Sequence, residues 1–184
     1  MRVNENTIEE IEKKLNSFST DFNRILYLES AMKKELPIET KRFILNKLIS
    51  LYEAGRMFEK AGKTLTTKAR LDYTFREKIE DFVRAAEMFC KAGKIEDAEI
   101  VFTNAINEAN EMQRKEISQK RVLMYKQYAE YFEKIGKRSL SAKFYEKLLN
   151  IKINNEEREK IKEKLKNIYL SIGKLKEAKE VSKK

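Results

Sequence analysis

Gly62-Lys63-Thr64 is the closest this chain comes to a phosphate-binding loop. Such a loop needs a first glycine five residues before the second, at a strand-to-helix turn, so that backbone amides can cradle the phosphates. Position 57 is Met, Gly55 is seven residues away, and the preceding segment has helical periodicity, so the motif is set aside. Cys90 is the one cysteine. Beside Phe89 on an amphipathic helix it takes the place of a small buried hydrophobe, with partial exposure toward a groove as the alternative. The chain has no His, so no imidazole can activate that thiol or serve as general base or metal ligand. A single Cys also excludes a disulfide framework, a CxxC redox pair and a multi-cysteine metal site. The acidic pairs Glu9-Glu10, Glu80-Asp81 and Glu156-Glu157 could act as acid and base or hold a cation. They fall mostly in first turns of helices or opposite apolar stripes, where the helix dipole and solubility account for them. The expectation is no enzyme: no catalytic, cofactor-binding or metal-ligating residue is assigned, and no cofactor.

Two further sets concern binding. Lys160, Lys162, Lys164 and Lys166 alternate with an apolar stripe near the C-terminus and form a candidate basic patch. Helical geometry puts 160 and 164 on one flank of that stripe and 162 and 166 on the other, which suits a solvated helix surface better than a phosphate-tracking strip. The aromatic set at 125, 128, 131, 132, 144 and 145 could stack bases. Tyr125, Phe132 and Tyr145 fall on core positions, and Tyr128 and Tyr131 are less determined. The net charge of +10 is distributed as −1 over residues 1–36, +4 over 37–93, −1 over 94–136 and +8 over 137–184. The excess is a property of the last quarter.

The elements that position these side chains are helices. Charged residues make up 38% of the 184-residue chain while glycines number five and prolines one, so loops are few and short. Four glycines sit in one recurring hexad: Phe58-Glu-Lys-Ala-Gly62-Lys63, Phe89-Cys-Lys-Ala-Gly93-Lys94, Phe132-Glu-Lys-Ile-Gly136-Lys137 and Tyr169-Leu-Ser-Ile-Gly173-Lys174. Five residues beyond each Gly stands a small residue, Thr67, Ala98, Ser141 or Ala178. Glycine after a 3.6-period stripe is a left-handed helix stop, and the neighbouring lysines complement the helix C-terminus. Each Gly therefore marks the turn of an antiparallel helix pair.

The helices expected from periodicity are a first starting near Ile8, with Asn6 as cap and Glu9 at its third position, and a second from Phe22 to Leu36 ended by Pro37. Residues 38–61, 95–113, 114–135, 138–151, 154–172 and 174–182 follow, with Asn154 and Glu157 as a helix start. The stretch 65–92 carries one unbroken stripe and is either one long helix or two.

The spacing resembles the tetratricopeptide repeat, and the unequal Gly-to-Gly intervals of 31, 43 and 37 residues resemble its soluble NSF attachment protein branch. The resemblance covers about residues 44–184. It implies an all-α fold: one domain over residues 1–184, with an N-terminal helical pair over 1–36 and degenerate hairpins turning at Gly62, Gly93, Gly136 and Gly173. These hairpins would stack into a right-handed superhelix. It further implies a concave groove lined by Tyr52, Arg56, Val83, Glu87, Lys126 and Glu130, and a non-enzymatic adaptor or assembly scaffold that binds a peptide or helix of another protein. Two alternatives stand beside it: a nucleic-acid-associated protein using the basic end, and a self-associating structural subunit. No apolar run approaches the length of a bilayer span and no apolar leader opens the chain, so the expected setting is the cytoplasm without membrane insertion. The abundance of Lys and Glu would suit a thermophile, and the twelve Asn with many Ile and Lys would equally suit a base-composition bias.

Overall fold

The computed structural model describes residues 3–181 and holds ten α-helices with, among the described residues, no strand. They are α1 (Ile8–Asn16), α2 (Asp21–Ala31), α3 (Ile38–Ala54), α4 (Phe58–Ala69), α5 (Phe75–Lys91), α6 (Ile95–Glu108), α7 (Glu111–Lys134), α8 (Arg138–Leu149), α9 (Asn155–Ser171) and α10 (Leu175–Val181). Contacts divide the chain into two compact units. One is the chain up to Ala92 with Asp97–Ala109, and the other is Gly93–Glu96 with the chain from Asn110 onward. Among the described residues no helix is long and apolar enough to cross a membrane.

In the first unit, α1 is capped by Thr7, one residue later than expected. The Glu10 amide donates to Thr7 Oγ1 at 3.3 Å, and the Thr7 amide donates to the Glu10 carboxylate at 3.2 Å. This reciprocal box needs a short hydroxyl side chain at the cap and a carboxylate three residues on, which Thr7 and Glu10 supply together. Next, α2 stops at Ala31 instead of reaching Leu36, and Pro37 opens α3 as its cap residue. Proline lacks the donor a helix interior needs, and it restricts the residue before it, so it is better placed at a helix start than at a helix end.

The expected helix over 38–61 is two helices, and the expected turn at Gly62 does not exist. Gly62 lies inside α4, buried, where an added Cβ would come within 3.0 Å of the Phe89 ring. That close approach is why glycine stands there. The turn is at Arg56, which adopts φ 55° without being glycine. The hexad around Gly62 therefore matches the others in letters but not in register.

Taking Arg56 as the first turn aligns all four turns. Arg56, Gly93, Gly136 and Gly173 are the left-handed residues, with Tyr52, Phe89, Phe132 and Tyr169 four positions before them. At three of these turns the residue after the left-handed one donates its amide to the aromatic residue's carbonyl: Met57 to Tyr52 at 2.8 Å, Lys137 to Phe132 at 2.8 Å and Lys174 to Tyr169 at 2.9 Å. This bond satisfies carbonyls that the ending helix leaves unpaired. Five residues past each turn stand Ala61, Ala98, Ser141 and Ala178, all buried. The corrected spacing from Arg56 to Gly93 equals that from Gly136 to Gly173.

The ambiguous stretch 65–92 is two helices, parted by residues 70–74 and restarted at Thr74, whose hydroxyl accepts from the Glu77 amide at 3.2 Å. Asp72, with no side-chain exposure, meets Arg42 Nη2 at 3.1 Å and Lys68 Nζ at 3.1 Å. Lys68 also reaches Asp81 at 2.5 Å, and Arg42 reaches Glu77 at 3.1 Å while stacking 4.9 Å over the Tyr73 ring. Burying a charge is costly unless it is paired and hydrogen-bonded. Here one linker carboxylate is shared by cations from α3 and α4, which fixes the course of the chain into α5.

In the second unit, α7 begins at Glu111 because Asn110 and Gln113 form a box. The Gln113 amide donates to Asn110 Oδ1 at 2.9 Å, and the Asn110 amide donates to Gln113 Oε1 at 3.0 Å. Helix α8 runs back along the C-terminal half of α7. Phe144 stacks on Phe132 with ring centroids 5.5 Å apart and meets the Tyr125 edge at 5.7 Å. These rings fill the core, so Tyr125, Phe132, Phe144 and Tyr145 present no stacking surface to solvent. Asn154 caps α9, accepting from the Glu157 amide at 2.8 Å.

Candidate protein-docking groove

The second unit holds a concavity that arises from a mismatch in helix length. Helix α7 has 24 residues and α8 has 12, so α8 covers only the later half of its partner. Beyond the end of α8 the chain crosses to α9 through residues 150–154, and Ile151 and Ile153 of that linker stand opposite Val122 and Leu123 of α7. The result is a groove of about 730 Å³. Its floor is apolar, and Leu123 is 57% exposed.

Both ends of the linker are held. Arg158 Nη1 donates to the Leu149 carbonyl at 3.0 Å, closing α8, and Asn154 opens α9. The first unit uses the same device: Arg24 Nη2 donates to the Phe18 carbonyl at 2.8 Å and its Nε to the Leu15 carbonyl at 3.4 Å. In both places the arginine stands four residues after the cap, Thr20 or Asn154, and returns to the helix just left. The groove wall is thereby preorganised.

Charge surrounds the apolar floor. Arg114, Lys115 and Lys126 of α7 and Lys152 of the linker supply cations; Glu111 and Glu157 supply carboxylates. Glu111 pairs with Lys115 at 3.1 Å and Glu157 pairs with Lys126. The lining therefore carries more positive than negative charge.

Alongside lies a second hollow of about 370 Å³, where Lys126, Glu130, Lys160 and Lys164 come together. Lys164 Nζ donates to Glu130 at 3.0 Å and to the Tyr145 hydroxyl at 3.4 Å. Burial pushes the Lys164 ammonium down, but Glu130 and Tyr145 more than offset this and hold it above its ordinary value. Lys160 pairs with Glu156 at 2.5 Å. Lys162, paired with Glu159 at 2.6 Å, lies with Lys160 and Lys166 in a different hollow. Lys160 borders both hollows, while Lys164 lines the first and Lys162 and Lys166 the other.

The remaining groove residues expected from the sequence belong to the first unit. Tyr52 is buried and donates its hydroxyl to Glu29 Oε1 at 2.6 Å. Arg56 is the left-handed turn residue, Val83 is half-buried, and Glu87 pairs with Lys91 at 2.8 Å. Tyr52 and Arg56 were placed by the Gly62 register. In the corrected register the positions matching Val83 and Glu87 are Asn46 and Ser50, both exposed. Cys90 is fully buried, and burial, then Glu87 and Glu99, raise its thiol well above the ordinary range.

Sequence reasoning missed Val122, Leu123, Ile151 and Ile153, whose signal is an Ile-Lys-Ile linker beside a helix longer than its partner. It also missed Asp72, whose signal is a Lys68–Asp72 spacing of one helical turn running off the end of α4. Among the described residues no set of three Cys, Asp or Glu side chains is placed to hold a metal ion. No family model matches the chain, and neither the comparison with curated proteins nor that with solved structures finds a match.

Proposed function

We propose that the chain is a non-enzymatic docking protein, an adaptor or assembly scaffold. Its hairpins would be degenerate tetratricopeptide-type repeats, and a segment of another protein would occupy the groove along α7. The observation that carries this reading is the preorganised apolar floor of Val122, Leu123, Ile151 and Ile153 beside the uncovered half of α7. An exposed apolar surface rimmed by charge is the usual mark of an interaction site. The repeat reading rests on the four aligned turns and their buried small residues. Against the rival, nucleic-acid binding through the basic end, stands the pairing of Lys160, Lys162 and Lys164 with glutamates. Lysines neutralised within their own fold release fewer counterions on meeting a phosphate backbone.

The test is affinity capture from the source lysate, with and without nuclease, using wild type, Leu123→Glu and a Lys160→Gln/Lys166→Gln variant. Docking in the groove predicts a nuclease-resistant partner that Leu123→Glu loses and the lysine variant keeps. Capture that vanishes with nuclease, or with the lysine variant alone, overturns the reading.

A further inference from the structure

Resting on that docking reading, we infer that the groove takes an amphipathic α-helix whose apolar face is flanked by carboxylates. Two observations select the conformation. The uncovered face of α7 runs through Lys115, Ser118, Val122 and Lys126, a ridge at successive helical turns. From Glu111 to Lys126 that ridge is about 24 Å long at 1.5 Å per residue, four turns of a partner helix. The C-terminal half of α7 already accepts a helix, α8, through Phe144. An extended segment would find no strand edge to pair with among the described residues, so its backbone groups would stay unpaired in the groove. A helix satisfies its own.

Charge selects the flanks. Four cations line the groove against two carboxylates, and the pairs Glu111–Lys115 and Glu157–Lys126 take up two of the cations and both carboxylates, which leaves the lining net positive. Lys152 is exposed on the linker, so a helix lying on Val122 and Leu123 would present one flank to it. Carboxylates there meet complementary charge, and lysines there meet repulsion.

Three synthetic peptides of about sixteen residues test this, each with leucines at helical spacing. One has glutamate flanks, one has lysine flanks, and one is the glutamate peptide interrupted by two prolines. Anisotropy at low salt and methyl NMR of the intact protein are read together. The glutamate peptide should shift the methyl signals of Leu123, Ile151 and Ile153. It should bind at least roughly tenfold more tightly than the other two, and lose about tenfold with Lys152→Glu. If the lysine or proline peptide moves the same methyls with equal affinity, the helix or charge assignment is overturned while groove docking survives. If none of the three moves those methyls, docking in this groove falls with it.

Discussion

The linkers over residues 70–74 and 150–154 have equal length, each follows a helix of 12 residues, and each ends in the cap of the next helix. Aligned on those caps, Asp72 occupies the place of Lys152, and Leu71 and Tyr73 those of Ile151 and Ile153. The carboxylate of Asp72 is drawn inside between Arg42 and Lys68, and the first linker seals its junction. Lys152 stays exposed, its linker is held at its ends by Arg158 and Asn154, and the two isoleucines line an open groove. A buried carboxylate at the middle of one five-residue linker and an exposed ammonium at the middle of the other accompany the difference, alongside the reach of α7 past α8.

The largest expected effect breaks the closed side. Asp72→Ala leaves Arg42 and Lys68 facing each other with one counter-charge fewer, and should cost about 3–5 kcal/mol in denaturant unfolding. Lys152→Ala, at the matching place, should change stability by no more than about 0.5 kcal/mol. Equal effects would dissolve the comparison. Next in size is the turn register. Gly62→Val drives a branched side chain into the Phe89 ring and should destabilise by about 1–3 kcal/mol. Arg56→Gly relieves a left-handed arginine and should be neutral or stabilising by about 1 kcal/mol. If Gly62 were the turn, Arg56 would lie inside a helix and Arg56→Gly would instead cost about 1 kcal/mol.

The smallest effect concerns a surface counterpart to the buried network. The Tyr52 hydroxyl, then Lys60, holds the Glu29 carboxyl below its ordinary 4.5. Because the folded value is depressed, Glu29 contributes stability above pH 4.5 that is lost as pH falls through the folded value. Tyr52→Phe should raise that carboxyl toward 4.5 in a carboxyl-carbon NMR titration and cost about 1 kcal/mol at neutral pH. An unmoved titration would remove the hydrogen bond from the account.

The all-helical architecture and three of the four turns were legible because periodicity and left-handed glycine act locally. The first turn was not. Arg56 carries no glycine signal, and Gly62 mimics one for an unrelated reason, the nearness of Phe89. The cap at Thr7 lies one residue from the expected one, whereas α7 starts at Glu111, three residues before the expected 114, because Asn110 and Gln113 form the box. Of the groove along α7, only Lys126 was among the residues expected from the sequence. The groove depends on α8 ending halfway along α7 and on how Ile151 and Ile153 are held by Arg158 and Asn154, which are tertiary facts. Asp72 escaped for the same reason, since its partner Arg42 stands thirty residues earlier in the chain.

The central claim, that the groove along α7 is where a partner docks, is tested most directly by amide hydrogen exchange on the complex captured from the source lysate. Docking predicts slowed exchange confined to residues 111–126 and 150–157, lost together with the complex in Leu123→Glu. Protection centred on residues 160–166, or on the first unit with 111–126 unchanged, would contradict it.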